Sequence, residues 1–96
     1  TAEFDRRRTK LMSLLDSLGL PYARPRGAFY LFPSVRKFGL PSARFAEFLL
    51  ENARTAVVPG DAFGPPGEGH IRMSYCAPLE EIEAAMERVG RALARL

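Results

Sequence analysis

Cysteine is nearly missing from this 96-residue sequence: Cys76 stands alone. One thiol allows no intrachain disulfide and no zinc site built from cysteine pairs. An unpaired cysteine fits a reducing compartment, and the location expected is the cytoplasm. Histidine is also single, so His70 has no second imidazole with which to share a metal, and no metal site is expected. Lysine occurs only at positions 10 and 37. Twelve of the 14 basic residues are arginine, and against 11 acidic residues they leave a net charge of +3. That excess is small. Its one run, Arg6-Arg7-Arg8 with Lys10, has Glu3 and Asp5 beside it, so it reads as the polar side of a helix rather than a nucleic-acid footprint. Long apolar runs are absent too. None approaches the roughly 20 residues of a membrane helix, and no membrane partner is expected. The first residues, Thr-Ala-Glu-Phe-Asp, carry charge and lack both an initiator Met and the pattern of a signal peptide. That fits a piece of something longer, or a processed start.

What is present is the composition of a folded domain. An apolar share of 47% and a charged share of 26% sit near the average for globular chains and exclude a disordered class. The length is that of one domain. Phe4, Leu11, Leu14, Leu15 and Leu18 follow helical spacing over residues 3–18, with Gly19, Leu20 and Pro21 as a stop signal. Residues 28–32, Ala-Phe-Tyr-Leu-Phe, read as a short buried strand. A second helix is expected over 42–53, with Ser42 as N-cap and Phe45, Phe48 and Leu49 as its stripe. Residues 55–58 read as a strand. Residues 59–69 hold four Gly and three Pro and read as a loop, long enough to suggest a functional one. Residues 70–75 alternate, Ile71, Met73 and Tyr75 on one face and His70, Arg72 and Ser74 on the other. Leu79, Ile82, Met86, Val89 and Leu93 mark a helix over 79–95, with acids at its start and arginines at its end as the helix dipole favours.

The order α-β-α-β-β-α predicts an α/β (α+β) two-layer sandwich: a small three-stranded mixed sheet with helices packed on one face. The strand–helix–strand segment from 28 to 58 is expected to cross over right-handed, making its two strands parallel.

Chemistry points first to Arg72. The alternation places it on the face away from the core, just after the Gly/Pro loop. A guanidinium offers a planar fork of donors that matches a carboxylate or phosphate. The competing reading is a plain surface arginine on an open sheet face. Ser74 has no His–carboxylate pattern around it, and Cys76 reads as a small packed residue rather than a reactive thiol. The 59–69 loop matches no phosphate-binding pattern, and Glu80 and Glu81 diverge on a helix. Arg26-Gly27-Ala28-Phe29-Tyr30-Leu31-Phe32 has a faint likeness to an RNA-recognition strand, but it falls on the wrong strand of the order, and strand 70–75 carries no stacking pair. No nucleic-acid partner is expected.

Three segments then carry a resemblance. PRGAFYLFP (25–33), AVVPGDAFG (56–64) and GEGHIRMSYCA (67–77) are similar, in order and spacing, to three stretches of the class I/II aminotransferases of fold type I. The resemblance covers nearly the whole chain. It implies the C-terminal small domain (1–96) of a pyridoxal-phosphate-dependent aminotransferase, which anchors the substrate and closes over the active site. It implies that Arg72 binds the α-carboxylate of an amino acid or 2-oxo acid. Phe29 would help wall the pocket, with plain core packing as the equal alternative. Arg26 stands where relatives often carry an acidic or small residue. The family's catalytic lysine and its other cofactor-binding groups lie in a large domain upstream. Neither Lys10 nor Lys37 matches the lysine motif, so no catalytic or cofactor-binding residue is expected in this chain, and the chain alone should not transaminate. The whole protein is expected to be a homodimer, its small domain packed on its own large domain. The same domain also occurs in other fold type I enzymes and regulators, namely lyases, synthases and transcription regulators. A free-standing ligand- or RNA-binding module is the reading from another class.

Overall fold

Helical spacing near the chain start becomes helix α1, Ala2–Leu18, in a computed structural model that describes residues 2–23 and 29–96. Its end is closed twice. The Gly19 N–H donates to the Asp16 carbonyl and the Leu20 N–H to the Leu15 carbonyl, both at 3.0 Å, the paired bonds of a Schellman stop. Lys37 Nζ then donates to the free carbonyls of Leu18 and Gly19, each at 3.1 Å.

The strands are β1 (Tyr22–Ala23), β2 (Tyr30–Pro33), β3 (Val58–Pro59) and β4 (Ile71–Ser74), ordered β1-β2-β4-β3. Every pairing is antiparallel. The expected three-stranded mixed sheet is therefore corrected to a four-stranded antiparallel one. The strands before and after helix α2 (Ser42–Ala53) do run in the same direction, since both oppose β4. They are not neighbours, because β4 returns into the slot between them, a split βαβ arrangement. Two residues after the Gly19 stop are too few to read as a strand, yet Tyr22 pairs with Pro33 and Ala23 with Phe32. The strand expected at 55–58 begins only at Val58. Arg54 holds a left-handed C-cap at φ 51°, and the Thr55 N–H still donates to Leu49 of the helix at 3.2 Å. Pro59 has no N–H to give, which an edge strand tolerates. The expected start of the first strand at Ala28, and the Pro25–Ala28 part of the first motif with Arg26, lie outside the described residues.

Alternation decides what is buried. Leu31, Pro33, Ile71, Met73 and Tyr75 face the helices and are buried, whereas Tyr30, Phe32, His70 and Arg72 face away and are half-buried. The aromatic run read as a buried strand thus has two faces, one of them open. Helix α3, Leu79–Leu93, contributes Ile82, Met86 and Val89 to the core, which also holds Leu11 and Leu15 of α1 and Phe45 and Leu49 of α2. At about 1.5–3 kcal/mol per buried side chain of this size, this layer is the main source of stability. Among the described residues no helix is long and apolar enough to cross a membrane.

Ser42 is not the N-cap. It is the first helical residue, fully buried, and Pro41 precedes it as cap. The Gly69 N–H donates to Ser42 Oγ at 2.7 Å, and the Ser42 N–H donates to Glu68 Oε2 at 2.9 Å. A carboxylate from the 59–69 loop thus supplies the acceptor that a capping side chain would have supplied.

Candidate functional site

The open face of the sheet is built by register. Tyr30 lies opposite Ser74, and Val58 flanks Arg72 on the other side. Ser34 bridges to His70. The same register continued by one residue puts Phe32 across from Arg72. Arg72 therefore stands mid-face, with a strand on each side.

Rings surround it. The guanidinium carbon lies 5.3 Å from the Tyr30 ring centre and 5.5 Å from that of Phe63. Phe63 meets Phe32 edge-on at 5.9 Å, and Phe32 stacks on His70 at 5.1 Å with planes 7° apart. The face thus carries more ring stacking than strand 70–75 suggested, but these rings are engaged with one another and with Arg72.

The loop that delivers Phe63 is knitted rather than loose. It forms two short 3-10 turns, Gly60–Phe63 and Pro65–Gly67. The Gly60 N–H donates to the His70 carbonyl at 2.7 Å, and the His70 N–H donates to that of Gly67 at 3.1 Å. Gly60 and Gly67 press backbone on backbone, so closely that a Cβ on either would lie 2.0 Å from the other's carbonyl oxygen. Arg36 Nη2 donates to the Glu68 carbonyl at 3.4 Å and holds the loop's far end.

Arg72 differs from the other half-buried arginines. Arg7 donates to Glu3 and to the Cys76 carbonyl, at 3.1 and 2.9 Å. Arg8 pairs with Asp5 at 3.2 Å. Arg88 donates to the Ala53 carbonyl at 2.7 Å. Among the described residues Arg72 has no carboxylate or carbonyl partner, only rings. A cation–π contact uses no N–H donor, so the guanidinium is held while its hydrogen-bonding fork stays open.

The other candidates separate from it. Phe29 follows the opposite alternation: its ring meets Phe4 at 4.8 Å and Tyr75 at 6.4 Å, on the helix side of the sheet. The structure does not bring Phe29 to Arg72. Ser74 Oγ accepts from the Cys76 N–H at 3.2 Å and lies 3.4 Å from the Phe29 carbonyl, a turn-making role. Cys76 is exposed, so the reading of it as a packed residue is corrected: the chain has left the strand by then, and α3 has not begun. Lys10 pairs with Glu83 at 3.3 Å, and Lys37 is spent on the end of α1. A groove of 340 Å³ between Ala56–Val57 and α3 lies on the helix side, and Arg72 does not line it. Tyr30, Phe32 and Phe63 are not singled out by the sequence as site residues. The alternation in 70–75 does identify the face, and the same period applied to 29–33 would have added the first two.

Known proteins resemble this chain in sequence and in fold. The family model for class I and II aminotransferases matches residues 1–89. The aspartate aminotransferase of Pyrococcus abyssi is 47% identical over 91 residues, covering 95% of this chain and 23% of that protein. Aromatic-amino-acid aminotransferase 2 of Thermococcus litoralis is 44% identical, with 95% and 23% covered. The crystal structure of an aromatic aminotransferase from Pyrococcus horikoshii superposes with a TM-score of 0.93 at 50% identity, covering 98% of this chain and 25% of that one. The chain therefore spans about a quarter of the length of the relatives it matches.

Proposed function

The chain belongs to the class I and II aminotransferase family, and from that membership we propose that it is the C-terminal small domain of a pyridoxal-phosphate-dependent aminotransferase. Its task there is to anchor the α-carboxylate of an amino acid or 2-oxo acid through Arg72 and to close over the bound substrate. One observation carries this reading beyond the family: Arg72 is the half-buried arginine whose donor fork has no acceptor among the described residues, on a sheet face open to an incoming molecule. A carboxylate accepting two parallel N–H bonds fits that fork.

When bound, pyridoxal phosphate supplies the electron sink for the chemistry. Among the described residues neither lysine is free to hold it. Both lysines are engaged, Lys10 with Glu83 and Lys37 with the carbonyls of Leu18 and Gly19, so the cofactor would be held by residues outside this chain. Arg72 contributes binding and orientation. Fixing the carboxylate limits the rotation of the substrate's Cα substituents, and such positioning is worth several kcal/mol when complete, up to about 7–11. Homodimerisation and a cytoplasmic location belong to this proposal through the resemblance alone. So does the alternative that the same domain serves a lyase, a synthase or a regulator.

The test is made on the full-length protein with aspartate and phenylalanine as amino donors and 2-oxoglutarate as acceptor. Arg72→Ala should lower kcat/KM by about 30- to several thousand-fold, the equivalent of roughly 2–5 kcal/mol for truncating one partner of a hydrogen-bonded charge pair. Arg72→Lys, which keeps the charge but loses the fork, should fall between Arg72→Ala and the unmodified protein. The visible absorption of bound cofactor should persist in both. Unchanged kinetics in Arg72→Ala would remove Arg72 from the site. A full-length protein without visible absorption or amino transfer would remove the aminotransferase reading.

A further inference from the structure

The guanidinium of Arg72 is the end of a long side chain with several rotatable bonds, and on an open face it would ordinarily sample many positions. Such side chains lose about 1.5–2 kcal/mol of conformational entropy when fixed. An anchor that is mobile before binding loses that amount as each substrate arrives. In this structure two rings already lie against the guanidinium, and a ring face takes up no N–H donor. Tyr30 reaches the guanidinium from β2, and Phe63 from the loop that follows β3, so the contacts come from chain segments on the two flanks of β4. Phe63 is half exposed, with 50% of its surface in water. Its place is set by the Gly60–Gly67 backbone contact on one side and by the edge of Phe32 on the other.

We propose that Tyr30 and Phe63 are positioning residues: their rings hold the Arg72 fork in place for a carboxylate before substrate binds. This rests on the assignment of Arg72 as the carboxylate anchor. The ring faces act, not the tyrosine hydroxyl. Phe63 is therefore kept at the surface, where its burial gives the fold little, because of its contact with the cation.

The experiment uses the full-length enzyme with aspartate and with phenylalanine. Phe63→Leu and Tyr30→Leu each keep an apolar side chain and remove the ring. Each should raise KM for the amino acid about 3- to 10-fold with kcat within about twofold, the size expected of one partly exposed cation–π contact. Tyr30→Phe should restore the KM that Tyr30→Leu loses. In an Arg72→Ala background the two leucine changes should leave the residual kcat/KM within about twofold, because the group they position is gone. A merely structural role would lower activity in both backgrounds. If both leucine variants keep the KM of the unmodified enzyme while Arg72→Lys raises it, the positioning role is overturned and the anchor stands. If Arg72→Lys leaves KM unchanged as well, the anchor itself falls. Should one leucine variant not fold, the other decides.

Discussion

The sharpest structural expectation concerns Gly60. Its backbone has no left-handed angle, so alanine is acceptable there on conformational grounds; only space forbids it. A Cβ at this position would lie 2.0 Å from the Gly67 carbonyl oxygen and 2.6 Å from that of His70. Both obstacles are backbone, so the loop must move by about an ångström to reach ordinary contact. That shift breaks or stretches two hydrogen bonds, Gly60 N–H to His70 at 2.7 Å and His70 N–H to Gly67 at 3.1 Å. At about 0.5–1.5 kcal/mol net per bond, with about 1–3 kcal/mol for overpacking, Gly60→Ala should weaken the loop by roughly 2–6 kcal/mol. The assay is amide hydrogen exchange at residues 60 and 70 in the full-length protein. At about 1.4 kcal/mol per factor of ten, their exchange should accelerate about 30- to 20,000-fold, since local opening governs it. Gly39→Ala is the control. Gly39 has φ 73°, and a Cβ there would meet nothing within 4 Å, so alanine faces only the left-handed penalty of about 1–2 kcal/mol, felt at residue 39 and not in the loop. If Gly60→Ala leaves exchange at residues 60 and 70 unchanged, the loop is not knitted as described, and the placing of Phe63 loses its basis.

Two further expectations follow from single contacts. Ser42→Ala removes the acceptor of the Gly69 N–H at a fully buried site and should cost about 1–3 kcal/mol, read as a lower unfolding midpoint; Ser17→Ala, exposed on α1, should stay within about 0.5 kcal/mol of the unmodified protein. Glu3 accepts hydrogen bonds from Arg6 and then Arg7, which hold its carboxyl below the usual carboxylate range. A folded pKa below the unfolded one means the contribution is present at neutral pH and is lost as pH falls through the folded value. The stability deficit of Glu3→Gln should therefore shrink on acidification, and a deficit independent of pH would contradict the ion-pair account.

Helices are more legible in this sequence than strands, for a physical reason. The buried stripes Leu11–Leu15, Phe45–Leu49 and Ile82–Met86–Val89 are extended by partly buried Phe4, Leu18 and Phe48 that pack against the same core. Their spans therefore agree with the spacing to within a residue or two. The strands are two to four residues long, too short for a period to declare itself. Tyr22–Ala23 has no pattern of its own and exists because β2 offers it an edge. The strand at Val58–Pro59 is displaced because Arg54 and Thr55 remain bound to the end of α2. Antiparallel pairing is hidden for a different reason. Sequence order gives the direction of the strands flanking α2 but not the width of the gap between them, and β4 occupies that gap.

At the site, the strand period exposes Arg72 and leaves its surroundings unread. Alternation over 70–75 needs only neighbouring residues, so it separates the arginine from the core without any tertiary knowledge. Its ring partners are fixed by cross-strand register and by the backbone contact between Gly60 and Gly67, neither of which leaves a periodic trace. Phe29 shows the converse hazard. A motif names it together with Tyr30 and Phe32, but on a strand consecutive residues face opposite ways, and its ring joins Phe4 and Tyr75 on the helix side. A shared motif places residues in one segment; the pleat decides which of them share a face. By that criterion Tyr30 and Arg72 share the open face, where the loop brings Phe63 to them, and Phe29 belongs to the core edge.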